Sequence, residues 1–144
     1  MSQLRFRPWL PAAIAIVAVV LAVLIFIPKG SQRVDLSFAT DVVVYGHGEK
    51  TISAHLTPEE RAIVVSICRG TAAPGEPQTP DAFGRISLVF TGDDGASVTL
   101  YPATDGSGQM AVDSDQGGRL FYAYGEENAA QLFRILGRYG IRGD

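Results

Sequence analysis

The side chains able to hold a metal or act as a base are few: the 144-residue chain has two histidines and one cysteine. His47 stands in Gly46-His47-Gly48-Glu49-Lys50, a stretch that reads as a hairpin loop, and His55 falls on the polar side of the returning strand. Brought together across that hairpin with Glu49, the two imidazoles could hold a transition metal and activate water for a metal-assisted hydrolysis. No third ligand stands at a defined spacing, so the favoured reading makes both histidines surface residues. The sequence therefore assigns no catalytic, cofactor-binding or metal-ligating residue.

Other motifs are equally incomplete. Asp113, Asp115 and Gly118 match the opening of a calcium-binding loop, but Gly117 and Tyr124 stand where further oxygen ligands are needed, so the run reads as a turn. Asp93-Asp94-Gly95 is a second turn signal. Ser107, in Asp105-Gly106-Ser107-Gly108, lacks the glycine spacing and the strand–turn–helix setting of a strained serine nucleophile. Cys68 falls among apolar helical neighbours and reads as a small buried hydrophobe; an exposed Cys68 would instead allow a covalent dimer. The terminal Arg142-Gly143-Asp144 matches an adhesion tripeptide, a signal too short to carry weight.

Composition excludes more than the motifs do. A single cysteine rules out an intramolecular disulfide framework and any paired-cysteine zinc or redox site. A formal net charge of −3 gives no basic stripe for nucleic acid. Arginine outnumbers lysine ten to two, a bias that points to a G+C-rich, bacterial genome.

The elements that must position these residues fall into two unlike parts. From Trp9 to Ile27, 18 of 19 residues are apolar, broken only by Pro11. As a helix, residues 10–27 would run about 27 Å, close to the hydrocarbon thickness of a bilayer. No small-residue cleavage signal follows, so the expectation is a retained signal anchor, with residues 1–9 as a cytoplasmic tail, 28–33 as a linker and 34–144 as a domain outside the cytoplasm. Residues 30–144 carry nine basic and 15 acidic side chains, an acidic domain with ordinary apolar content.

Within that domain, Val34, Leu36, Phe38, Val42 and Val44 share one parity and predict a strand with one buried face; Ile52, Ala54 and Leu56 predict its return. Thr57-Pro58-Glu59-Glu60 predicts a helix start with a capping threonine, a proline at the first position and a capping-box glutamate. That helix is expected to run to about Arg69, with Ile63, Val64, Ile67 and Cys68 buried. Residues 71–84, with three prolines, predict a loop. Ile86–Phe90, Val98–Leu100, Met110–Val112 and Arg119–Tyr124 predict four strands, and Glu126–Tyr139 an amphipathic helix closed by Gly140. The expected fold class is α+β: an N-terminal transmembrane helix, then a small antiparallel sheet in the order β-β-α-β-β-β-β-α with two helices packed on one face.

The function this implies is a single-pass membrane protein displaying a non-catalytic extracytoplasmic binding or sensing domain. Its partners would be the lipid bilayer, through residues 10–27, and a protein at the membrane surface. Contacts are expected from the outward sheet face (Ser53, His55, Ser87, Val89, Thr99, with Tyr101 and Tyr122 adding aromatic surface) and from loop 71–84. Two alternatives are the metal-assisted hydrolase using His47, His55 and Glu49, and a small accessory subunit docking to a membrane complex through Ala15, Ala18 and Ala22.

Overall fold

Alternation of apolar and polar side chains builds a sheet with one dry face. The computed structural model describes residues 30–77 and 79–143. Eight strands form one sheet: β1 (Gln32–Val34), β2 (Asp41–Gly46), β3 (Ile52–His55), β4 (Gly70–Pro74), β5 (Ile86–Thr91), β6 (Ser97–Pro102), β7 (Gln109–Asp113) and β8 (Arg119–Ala123). Helix α1 (Pro58–Ile67) follows β3, helix α2 (Glu126–Gly137) follows β8, and a single 3-10 turn covers Pro80–Ala82. The spatial order is β1-β4-β8-β7-β6-β5-β2-β3, with antiparallel pairing throughout.

One row of partners shows how the dry face is made. Val44, Leu88, Leu100, Val112 and Leu120 stand side by side across five strands, and all are buried. They share one cluster with Val64 and Cys68 from the α1 side and with Ala129, Leu132, Ile135 and Leu136 of α2. Both helices thus cover the same face. The other face keeps only what its own side chains and the loop before β5 provide.

The expected fold class is corrected in two respects. First, the described residues form eight strands, in the order β-β-β-α-β-β-β-β-β-α. The single strand read from Val34 to Val44 is broken: the Ser37 amide bonds to the Asp35 carboxylate and the Ala39 amide to the Leu36 carbonyl, a turn that separates β1 from β2. The start of the expected loop 71–84 is strand β4, which pairs with β1 on one side and β8 on the other. Second, no helix among the described residues is long and apolar enough to cross a membrane. The transmembrane and signal-anchor readings therefore have no counterpart in this structure; residues 10–27, on which they rested, lie outside the described residues. Strand β1 begins at Gln32, inside the stretch expected to be a linker.

Helix α1 starts as its sequence dictates. The Thr57 hydroxyl accepts from the Glu60 amide at 3.2 Å, and the Glu60 carboxylate accepts from the Thr57 amide at 3.1 Å. Glu60 is only 5 % exposed, and it also receives the Tyr139 hydroxyl and, at 3.2 Å, the Arg138 guanidinium. Burial pushes its pKa up, but hydrogen bonds from Tyr139, Thr57 and Arg138 outweigh burial and hold it below the ordinary glutamate value. The helix stops at Ile67 because Cys68 caps it and Gly70 already pairs in β4. Gly70 is demanded by sterics: a Cβ there would lie 2.5 Å from Cδ2 of Tyr122. That ring is pinned, since its hydroxyl donates to the Cys68 carbonyl.

Three variants have measurable outcomes. A group with a depressed folded-state pKa contributes stability above its unfolded pKa and loses it as the pH falls through the folded one. Urea unfolding between about pH 7 and pH 3 should show an acid-side loss of stability in the wild type. Glu60→Gln should start about 1–2 kcal/mol less stable at neutral pH and decline more shallowly; parallel curves would remove Glu60 from this role. Gly70→Ala should cost about 1–3 kcal/mol by forcing Tyr122 aside. Gly137→Ala, where a Cβ meets nothing within 4 Å, should be neutral or stabilising by up to about 1 kcal/mol.

Candidate functional site

The strands carry their odd-numbered side chains to the face without helices. There, Tyr101, Ala111, Phe121 and Ala73 form one row across β6, β7, β8 and β4. Ala111 is fully buried between the two rings although it belongs to the open face. Phe83, from the loop before β5, meets Phe121 edge to face, with ring centres 5.4 Å apart and planes at 63°. The loop is anchored by the Thr104 amide, which donates to the Ala82 carbonyl at 2.9 Å, and by the Thr79 hydroxyl, which donates to Asp105 at 2.7 Å.

This arrangement leaves a groove of about 510 Å³ between loop and sheet. Ala73, Pro74, Pro77, Phe83 and Phe121 supply apolar walls, and Gln109 an amide. Glu76, Asp105 and Glu126 bring three carboxylates to it, and no Lys, Arg or His lines it among the described residues. Asp105 is held below the ordinary aspartate range by hydrogen bonds from Ser107 and Thr79. The groove can therefore offer flat aromatic surface beside fixed negative charge.

The remainder of the open face is occupied by its own contacts. The Arg119 guanidinium lies 4.4 Å from the centre of the Tyr101 ring, and its Nε is 3.5 Å from Asp113, which also accepts from the Tyr101 hydroxyl at 3.1 Å. Burial, then the Asp113 carboxylate, raises the Tyr101 pKa. Val43, Val89 and Thr99 are neighbours across β2, β5 and β6, each half-buried. Of the expected contact residues, Ser53 and His55 are exposed and Ser87 is buried. Tyr122 corrects the expectation: it shares the core parity of Leu120, is 5 % exposed and points at the helices. Phe121 is the aromatic that β8 gives to the open face.

The two histidines are not brought together. His55 pairs in register with Val43, four residues before His47, a separation of about 13 Å along the strand. Each has another partner. His55 Nδ1 is 3.0 Å from Asp41, whereas His47 Nε2 shares a 3.1 Å hydrogen bond with Ser87 and its ring stacks on Tyr45. Among the described residues no group of three or more His, Cys, Asp or Glu side chains could hold a metal ion. Asp113–Gly118 and Gly92–Gly95 are turns closed by backbone hydrogen bonds, Ser114 to Gly118 at 2.9 Å and Gly95 to Gly92 at 3.2 Å.

Cys68 is fully buried, and burial alone pushes its thiol far above the ordinary value. Iodoacetamide should leave it unmodified in the native protein and label it once urea unfolds the chain, with no disulfide-linked dimer on a non-reducing gel. Native labelling at the rate of a free thiol would contradict this burial. Comparison of the chain with protein-family models, curated proteins and solved structures found no match.

Proposed function

We propose that the domain is a non-catalytic binding module whose groove takes an extended segment of a partner protein carrying basic and apolar side chains. The composition of the lining carries this reading: an edge-to-face Phe83–Phe121 pair beside Glu76, Asp105 and Glu126. An apolar side chain set against the rings removes surface from water, and a neighbouring Lys or Arg meets the carboxylates. A groove of about 510 Å³ falls within the range of formed ligand sites, roughly 300–1,000 Å³. The two anchors of the loop fix its walls in advance, which lowers the ordering cost of binding.

The test is an NMR titration of the full chain with a synthetic alternating Arg–Leu hexapeptide, and with an alternating Glu–Leu hexapeptide as control. The Arg–Leu peptide should shift Phe83, Gln109 and Phe121, bind less tightly as salt rises, and weaken about tenfold with Asp105→Asn combined with Glu126→Gln. Equal binding of both peptides, or no loss in the double variant, would overturn the reading.

A further inference from the structure

The groove beside Phe83 does not end at its carboxylates. Asp105 and Glu126 also line a second hollow, of about 320 Å³, so they form the boundary the two share. Helical spacing builds one wall of it: Glu126, Ala129, Ala130 and Phe133 stand at i, i+3, i+4 and i+7 of α2, on one face. The two alanines leave room that larger side chains would fill, and Phe133 adds aromatic surface. The other wall is Thr104, Asp105 and Gly106, from the loop between β6 and β7. Among the described residues no Lys, Arg or His lines this hollow either.

Backbone contact fixes the shared boundary. The Gly108 carbonyl accepts from the Tyr124 and Gly125 amides at 2.8 and 3.3 Å. A Cβ on Gly108 would lie 2.5 Å from the Gly125 carbonyl carbon, so glycine is what lets the two segments meet. This approach holds the β6–β7 loop against Glu126, the first residue of α2. Asp105 is oriented in turn by the Ser107 amide at 3.0 Å and the Thr79 hydroxyl at 2.7 Å.

We propose that the groove and this hollow form one bipartite site, taking a basic side chain at the Asp105–Glu126 boundary and an apolar one on either side. This pattern rests on the reading of the groove as a peptide site and adds which side chains the bound segment carries. A Lys or Arg at the boundary meets two carboxylates at once. Its apolar neighbours lose water against the Phe83–Phe121 pair on one side and against Ala129, Ala130 and Phe133 on the other. Once one apolar side chain is seated, the second binds as part of the same chain, at high effective concentration.

Amide NMR of the full chain compares two hexapeptides of equal side-chain charge: the alternating Arg–Leu sequence, and Arg-Leu-Arg-Ser-Arg-Ser, which keeps one leucine. The alternating peptide should shift residues 104–106, 129, 130 and 133 together with Phe83 and Phe121, and bind about tenfold more tightly. Ala130 is exposed on the helix, so Ala130→Gln crowds the second hollow with no change of charge. That variant should cut the advantage of the alternating peptide to about twofold and leave the single-leucine peptide unchanged. Shifts at Phe83, Gln109 and Phe121 alone, equal affinity for the two peptides, or an advantage untouched by Ala130→Gln would overturn the bipartite site and leave the groove reading standing. No binding of either peptide would overturn both.

Discussion

The Glu60 carboxylate accepts from the Thr57 amide, the Tyr139 hydroxyl and the Arg138 guanidinium while only 5 % exposed. A buried carboxylate is tolerable only when its lone pairs are taken, and here the donors come from two different helical segments. The same group that starts α1 therefore fixes where the end of α2 lies. With both helices bound to one side of the sheet, the other side must be closed by something else. The loop before β5 does this at the β4–β8 end, and the groove is what remains between them. The placement of the groove is thus a consequence of which face the helices took.

Local signals made much of this legible. Thr57, Pro58 and Glu60 specify a helix start through contacts three residues apart, and the structure contains each of them. Ile86, Leu88 and Phe90 specify a one-sided strand because period-2 alternation is itself local. Other parts were hidden, in one case because the information is held between distant segments. Strand β4 reads Gly-Thr-Ala-Ala-Pro, with no large apolar residue to alternate; it is a strand because β1 and β8 supply partners on both sides. The break between β1 and β2 follows from the Asp35–Ser37 turn, which same-parity residues on both sides concealed. Tyr122 lies on the core face and not on the open one, and the Leu120 parity is the signal that places it there.

The candidate sites were the least legible part, for a related reason. Groove residues run from Ala73 to Glu126, and a smaller hollow is lined by residues from Gly46 to Arg142. No spacing rule connects such positions, because each site exists only once the sheet order β4-β8-β7-β6-β5-β2 is known. The histidines show the converse. Their short separation in sequence suggested a shared site, but an antiparallel hairpin places His55 beside Val43 and leaves His47 at the far end of the strand.

Net charge conceals the arrangement in the same way. An acidic domain is expected to repel anions at long range, yet potential near a surface is set by charges within about a Debye length, roughly 8 Å at physiological salt. Lys50, Arg85 and Arg142 gather in one hollow, while Glu76, Asp105 and Glu126 gather in another on the opposite half of the sheet. Apolar residues line both hollows beside the charged ones: phenylalanines with the carboxylates and isoleucines with the basic side chains. Low-dielectric walls focus the field of the charges they hold.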